Sequence, residues 1–294
     1  MLVNLRHPLF LISAYDIHYC LDNKSKPEKF EKERQDINDS LKEAYNNGQA
    51  IVLDSGNYES YWKLDNWTKR RYWMCLKDCY YHFAFCFDKR GQQIGNKDKQ
   101  IIINEVERSA LDDYPKCKGT ILPIVHAKTA DLPEVTYEVV KRLYPVMIAV
   151  VERELGDGIV ERAKTLITIR RLLNTTGQYF PIHLLGTGNP LSILIYVMCG
   201  ADSFDGVEWC RTTVDFDTGK LYHFQHREMF KKQTDYHKNT ELSYTAVTLA
   251  HNLAFYLEWM EKIRNSLDSG KMRSFAKKYL TQEILDNLGN ISTI

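Results

Sequence analysis

The chain has 294 residues, 44% of them hydrophobic, and a formal net charge of +1. It can bury a full core, as one domain of barrel size or as two smaller ones, and its near-neutral balance excludes attraction to a polyanion through a global field. The seven cysteines contain no CxxC pair, no run reaches the ~20 apolar residues of a membrane span, and the N-terminus shows no leader pattern, which predicts a reduced, cytoplasmic protein without a membrane partner.

Residues 9–17 form the first apolar run, and 27–46 follow with helical periodicity. A run at 50–53 predicts a second strand. Lys69-Arg-Arg71 comes next, interleaved with Trp67, Tyr72 and Trp73, a mixture that suits a nucleic-acid strand as well as a solvated helix face. Cys75 and Cys79 are spaced as one packed helix face. Runs at 81–87, 120–125, 146–151, 181–185 and 203–207 alternate with helix candidates at 99–111, 132–143, 159–173 and 190–199. The stretch 220–225 supplies an eighth strand candidate, and helices are predicted at 248–267 and 272–288. This alternation argues for parallel strands with helical crossovers. It is the α/β pattern of a (β/α)₈ TIM barrel with insertions, though an open doubly wound sheet fits it too. No repeat or linker divides the chain, so residues 1–294 are expected to form one domain.

Six residues fall at or just beyond the predicted strand ends, where a barrel places its chemistry: Asp54, Asp88, His126, Glu152, Gly186 and Asp205. One solvated loop carboxylate is unremarkable; four at successive strand ends invite a chemical explanation. The most informative is Asp205, in Ala201-Asp-Ser-Phe-Asp-Gly-Val-Glu-Trp-Cys-Arg211, which ends an apolar run directly before a glycine.

That segment, with Val52-Leu-Asp-Ser-Gly-Asn-Tyr58 and His183-Leu-Leu-Gly-Thr-Gly-Asn-Pro190, resembles in sequence and order the tRNA-guanine transglycosylase family, enzymes that exchange guanine for a 7-deazaguanine. The resemblance runs from about Ile51 to the C-terminus and is carried by short blocks; residues 1–45 diverge from it. It implies the barrel fold and a division of labour. Asp205 matches the nucleophile that attacks C1′ of the nucleotide. Asp54 matches the aspartate that serves the base and its proton. Asp88, in Phe85-Cys-Phe-Asp88, matches the carboxylate that reads the N1–H and N2–H₂ edge. His126 stands where the family has glutamine and is able to donate to O6 of guanine, although a lone histidine is as often structural. Gly186 and Gly188 match a glycine pair whose role is close backbone approach to the ligand or simply a tight turn. Arg211 matches the first arginine of a stretch that reads tRNA.

The departures are equally informative. The family's zinc-binding cysteines are missing, while His251 matches its histidine and His223 and His226 lie upstream. A zinc site built from His223, His226 and His251 is one reading; loss of the metal, leaving ordinary surface histidines, is the other. The rest of the tRNA-reading arginine stretch is replaced after Arg211. Val151-Glu-Arg-Glu154 replaces a glycine-rich base-pocket loop, so Glu152 or Glu154 faces the incoming base or merely opens a helix.

These losses resemble the DNA-guanine transglycosylases of phage and bacterial DNA-modification systems, which insert 7-deazaguanines such as preQ0. The resemblance therefore implies guanine exchange in DNA, single-stranded or with the base flipped, through a covalent Asp205 intermediate. No organic cofactor is required, and a homodimer or a helper protein is compatible with it. Arg170-Arg171 and Lys231-Lys232 join the tryptophan-rich patch as candidate backbone contacts. The rivals are the same exchange on tRNA, a non-catalytic subunit, and, more distantly, a metal hydrolase using the HxxH at 223–226.

Overall fold

The computed structural model describes residues 6–22, 27–58, 67–88 and 98–289. The chain forms two compact units, residues 1–150 with 172–181 and residues 151–171 with 182–294.

In the first unit, β1 (Leu9–Ser13), β2 (Ala50–Asp54), β3 (Phe83–Phe85) and β4 (Thr120–Leu122) form a sheet in that order with every pairing parallel. Helices α1 (Ala14–Asp22) and α2 (Pro27–Asn46) connect β1 to β2. Helix α3 (Lys69–Asp78) lies between β2 and β3, and α4 (Lys99–Asp113) between β3 and β4. Ile51, Val52 and Leu53 are at most 1% exposed, which explains why β2 reads as an unbroken apolar run rather than an alternating one. Helix α3 starts where Thr68 accepts from the Arg71 N–H, and α4 where Asp98 accepts from the Gln100 N–H. β5 (Ile124–Val125) pairs in parallel with β6 (Ile148–Val151), with α5 (Leu132–Leu143) between them in sequence.

α6 (Ile159–Asn174) begins in the second unit, which also contains β7 (Ile182–Leu185), α7 (Pro190–Met198), β8 (Ser203–Phe204) and the short α8 (Glu208–Arg211). β7 and β8 are parallel. Asn189 caps α7 by accepting from the Leu191 and Ser192 N–H groups, with Pro190 suited to the first turn. β9 (Thr212–Val214) and β10 (Leu221–His223) form an antiparallel hairpin, followed by 3-10 turns and by α9 (Tyr244–Asp268), α10 (Met272–Ala276) and α11 (Gln282–Gly289). Trp259 centres a core with Ile193, Leu194, Val214, Phe255, Ile263 and Leu285.

The parallel pairing and helical crossovers agree with the α/β expectation. Four details differ. The run at 120–125 is two strands, because Pro123 has no N–H to give and offers its carbonyl to Ala149. The eighth strand candidate at 220–225 is the hairpin strand β10, turned back at Gly219, where φ is +67° and the N–H donates to the Asp215 carbonyl. The last predicted helix is two, α10 and α11. Residues 14–17 belong to α1 rather than to the first strand. No helix among the described residues is long and apolar enough to cross a membrane.

Candidate active site

The residues marked out by the sequence gather in two clusters, one in each unit. The first sits at the C-terminal ends of β2, β3 and β5. Asp54 ends β2, and its Oδ2 accepts from the Gly56 N–H (2.9 Å), closing an Asx-type turn. Gly56 has φ +80°, and a Cβ placed on it would lie 2.6 Å from the Tyr15 backbone nitrogen, so the turn needs glycine for both conformation and space. Trp67 holds the turn from the other side, its indole N–H donating to the Ser55 carbonyl (2.8 Å) and its ring edge-on to Tyr15.

Asp88, three residues beyond β3, is the hub of this cluster. Its Oδ1 accepts from Ser55 Oγ (2.5 Å) and Asn57 Nδ2 (3.1 Å), and its Oδ2 from His126 Nε2 (3.0 Å). Asn57 also donates to the Asp88 carbonyl. Burial pushes the Asp88 carboxyl up, but His126, Ser55 and Asn57 together outweigh it and hold it down at about 2. Both lone pairs of Oδ1 are therefore taken, and Oδ2 retains room for one more donor. Asp88 is thus the anchor that fixes the Asp54 turn. Neither Ser55 nor Asn57 stands out in the sequence; their only signal was adjacency to Asp54.

The second cluster surrounds Asp205, just after β8. Both of its hydrogen bonds fall on Oδ1, from the Gly186 N–H (3.0 Å) and from His183 Nε2 (3.1 Å). A carboxylate only accepts, so the proton lies on Nε2, and in the neutral ring Nδ1 accepts from Ser203 Oγ (2.9 Å). His183 is 1% exposed, whereas the Asp205 side chain is 24% exposed. The arrangement anchors one oxygen of Asp205 and, among the described residues, leaves Oδ2 uncommitted. Gly186 supplies its N–H from φ +79°, a backbone state glycine adopts freely. His183 was visible in sequence only as the residue opening the glycine turn. Its position on β7 opposite Ser203 of β8 is what brings its ring to Asp205.

Glu152, at the start of a 3-10 turn after β6, accepts on Oε1 from Arg162 Nη1 (2.8 Å) and Tyr196 OH (2.8 Å). That oxygen is committed to a protein network, and the nearby charge adds to burial in raising the Tyr196 hydroxyl. Arg211 ends α8 in an exposed position. Tyr256 OH donates to the Gly188 carbonyl (2.5 Å), tying the glycine turn to α9.

His251 is 1% exposed and both its ring nitrogens are occupied, Nε2 donating to the Val214 carbonyl (2.8 Å) and Nδ1 accepting from Thr234 Oγ1 (3.2 Å). His223 and His226 face each other with ring centroids 5.7 Å apart, and among the described residues no three metal-ligating side chains converge. The structure thus does not bring His223, His226 and His251 together as a three-ligand group. In the tryptophan-rich patch Trp67 and Tyr72 are buried, Tyr72 OH donates to the Phe85 carbonyl, and Trp73 Nε1 donates to Asp113 (2.7 Å). Arg170 is 1% exposed and spends its guanidinium on the Gly200 carbonyl and on Asp202, so it is unable to reach a nucleic-acid backbone.

The sequence matches no protein-family model. It is similar to a queuine tRNA-ribosyltransferase of Helicobacter acinonychis (strain Sheeba), 28% identical over 36% of this chain and 35% of the relative. It is likewise similar to a queuine tRNA-ribosyltransferase of Dictyoglomus turgidum (strain DSM 6724 / Z-1310), 28% identical over 37% of this chain and 34% of the relative. The matched stretch spans about a third of the length of each relative.

Proposed function

We propose that this chain is a guanine transglycosylase, a pentosyltransferase that replaces guanine in DNA with a 7-deazaguanine of preQ0 type. The observation that carries the reading is the state of Asp205: one oxygen is held by Gly186 and His183, and the other is uncommitted. In the proposed reaction Asp205 Oδ2 bonds to C1′ as the C1′–N9 bond breaks, and the electron pair leaves with guanine. Asp54 gives its proton to the departing base and recovers one from the incoming deazaguanine. The new base then attacks C1′ and the Asp205 ester is cleaved, regenerating the carboxylate. The glycosidic bond energy is kept in the ester, so no ATP and no organic cofactor are needed, and the kinetics are ping-pong. Asp88 and His126 take the part of holding the heterocycle, Asp88 through the acceptor position left on Oδ2.

The (β/α)₈ scaffold belongs to the same proposal and is supported by the sequential parallel order β1 to β4. The shortened arginine stretch after Arg211 and the missing cysteine cluster favour DNA as the polymer. The names of the two relatives favour a second reading, the same exchange on tRNA.

The test combines the protein with 7-deazaguanine and either guanine-containing DNA or tRNA, followed by denaturing gels. An adduct with DNA that vanishes in Asp205→Ala supports nucleophile, polymer and reaction class together. An adduct confined to tRNA selects the second reading. The absence of an adduct with both polymers would overturn the transglycosylase assignment.

A further inference from the structure

We propose that Glu208 is a positioning residue for the nucleophile: its carboxyl, wedged between Gly188 and Gly206, locks the turn that carries the Gly186 N–H to the loop that carries Asp205. The proposal rests on the transglycosylase reading for its kinetics but not for its geometry. The two loops meet backbone to backbone, since a Cβ built on Gly206 would lie 2.5 Å from the Gly188 nitrogen and 2.5 Å from Glu208 Oε2. A Cβ built on Gly188 would lie 1.9 Å from the same oxygen. Only a pair of glycines leaves room for this carboxyl, so Gly188 and Gly206 are explained together with Glu208.

The oxygen in that groove is buried and has no hydrogen-bond partner among the described residues, which is costly for a polar atom and more so for a charged one. Burial first, and then the charges of Glu152 and Asp205, raise the Glu208 carboxyl above its ordinary range, while the Glu208 and Val207 backbone N–H groups work in the opposite direction. Tyr256 from α9 and Cys210 from α8 are the other titratable groups that feel it. The Glu208 carboxyl therefore fills the groove with one oxygen buried against Gly188 and Gly206. It packs against Gly188 from one side while Tyr256 holds the Gly188 carbonyl from another. The result is a fixed distance between the Gly186 donor and the carboxylate that it orients.

The test uses the full chain labelled with nitrogen-15, as wild type, Glu208→Ala and Glu208→Gln. In Glu208→Ala the Gly186 amide and the His183 ring resonances are expected to shift, and adduct formation to slow by about 10- to 100-fold with KM for the polymer little changed. Glu208→Gln, a neutral isostere, is expected to restore the resonances and most of the rate. If Glu208→Ala does not fold, Glu208→Asp withdraws the carboxyl from the groove and carries the same expectation. Resonances of Gly186 and His183 that coincide with wild type in the folded Ala or Asp variant would overturn the proposal. So would an equal loss of rate in the Ala and Gln variants. A wild-type protein that forms no adduct with either polymer overturns the transglycosylase reading instead, and the resonances then decide the role of Glu208 alone.

Discussion

Asp88→Asn isolates the charge at the centre of the first cluster. In the wild-type fold this carboxyl sits at about 2 against an ordinary 3.8, and its side chain is 12% exposed, so solvent screens the effect only weakly. The depressed value means that the folded state prefers the ionised form, and at neutral pH this preference is worth about 2 kcal/mol. That stability is present above the unfolded pKa and is lost as the pH falls through the folded one, so the window is about pH 4 down to about pH 2. An asparagine amide also turns its NH₂ either toward the donors Ser55 and Asn57 or toward His126, where no further donor is wanted. Urea midpoints measured across this range are expected to show Asp88→Asn less stable by about 2 kcal/mol near neutrality, roughly 4–8 °C in Tm. The gap to wild type is expected to close as the pH approaches 2. A gap that stays constant through this window would refute the argument that the three partners act on an ionised Asp88.

Two further outcomes test the geometry around the two aspartates. Gly56→Ala places a methyl group 2.6 Å from the Tyr15 backbone at φ +80° and is expected to cost about 1–3 kcal/mol in thermal or urea unfolding; a neutral effect would show that the Asp54 turn is not held against α1. His183→Phe keeps a ring of similar size but removes the Nε2 donor to Asp205, and adduct formation is expected to slow by about 10²-fold with little change in KM. An unchanged rate would show that Gly186 alone suffices to orient the nucleophile.

Local chemistry made much of this molecule legible before folding. The unbroken apolar run at 51–53 had to be a strand covered on both faces, and Asn189-Pro190 had to begin a helix. Asp54, Asp88, His126, Gly186 and Asp205 could be placed at strand ends from the alternation of runs alone. What they do there was decided by side chains distant in sequence. Asp88 is held by Ser55, thirty-three residues away, and by His126, thirty-eight away, so the sequence by itself showed a carboxylate but not its low pKa. His251, Trp67, Tyr72 and Arg170 carry the right chemistry for metal or nucleic acid, yet the fold spends each of them internally, because a buried polar group must find a partner wherever packing puts it. Glu208 shows the reverse. In sequence it is an ordinary acidic residue two positions after a glycine, and only the meeting of two loops at Gly188 and Gly206 turns it into a wedge beside Asp205. Residue type and spacing thus determined which groups reach the strand ends. Contact between distant segments determined which are anchored, which stay uncommitted and which are charged, because hydrogen bonding and desolvation act through space and not along the chain.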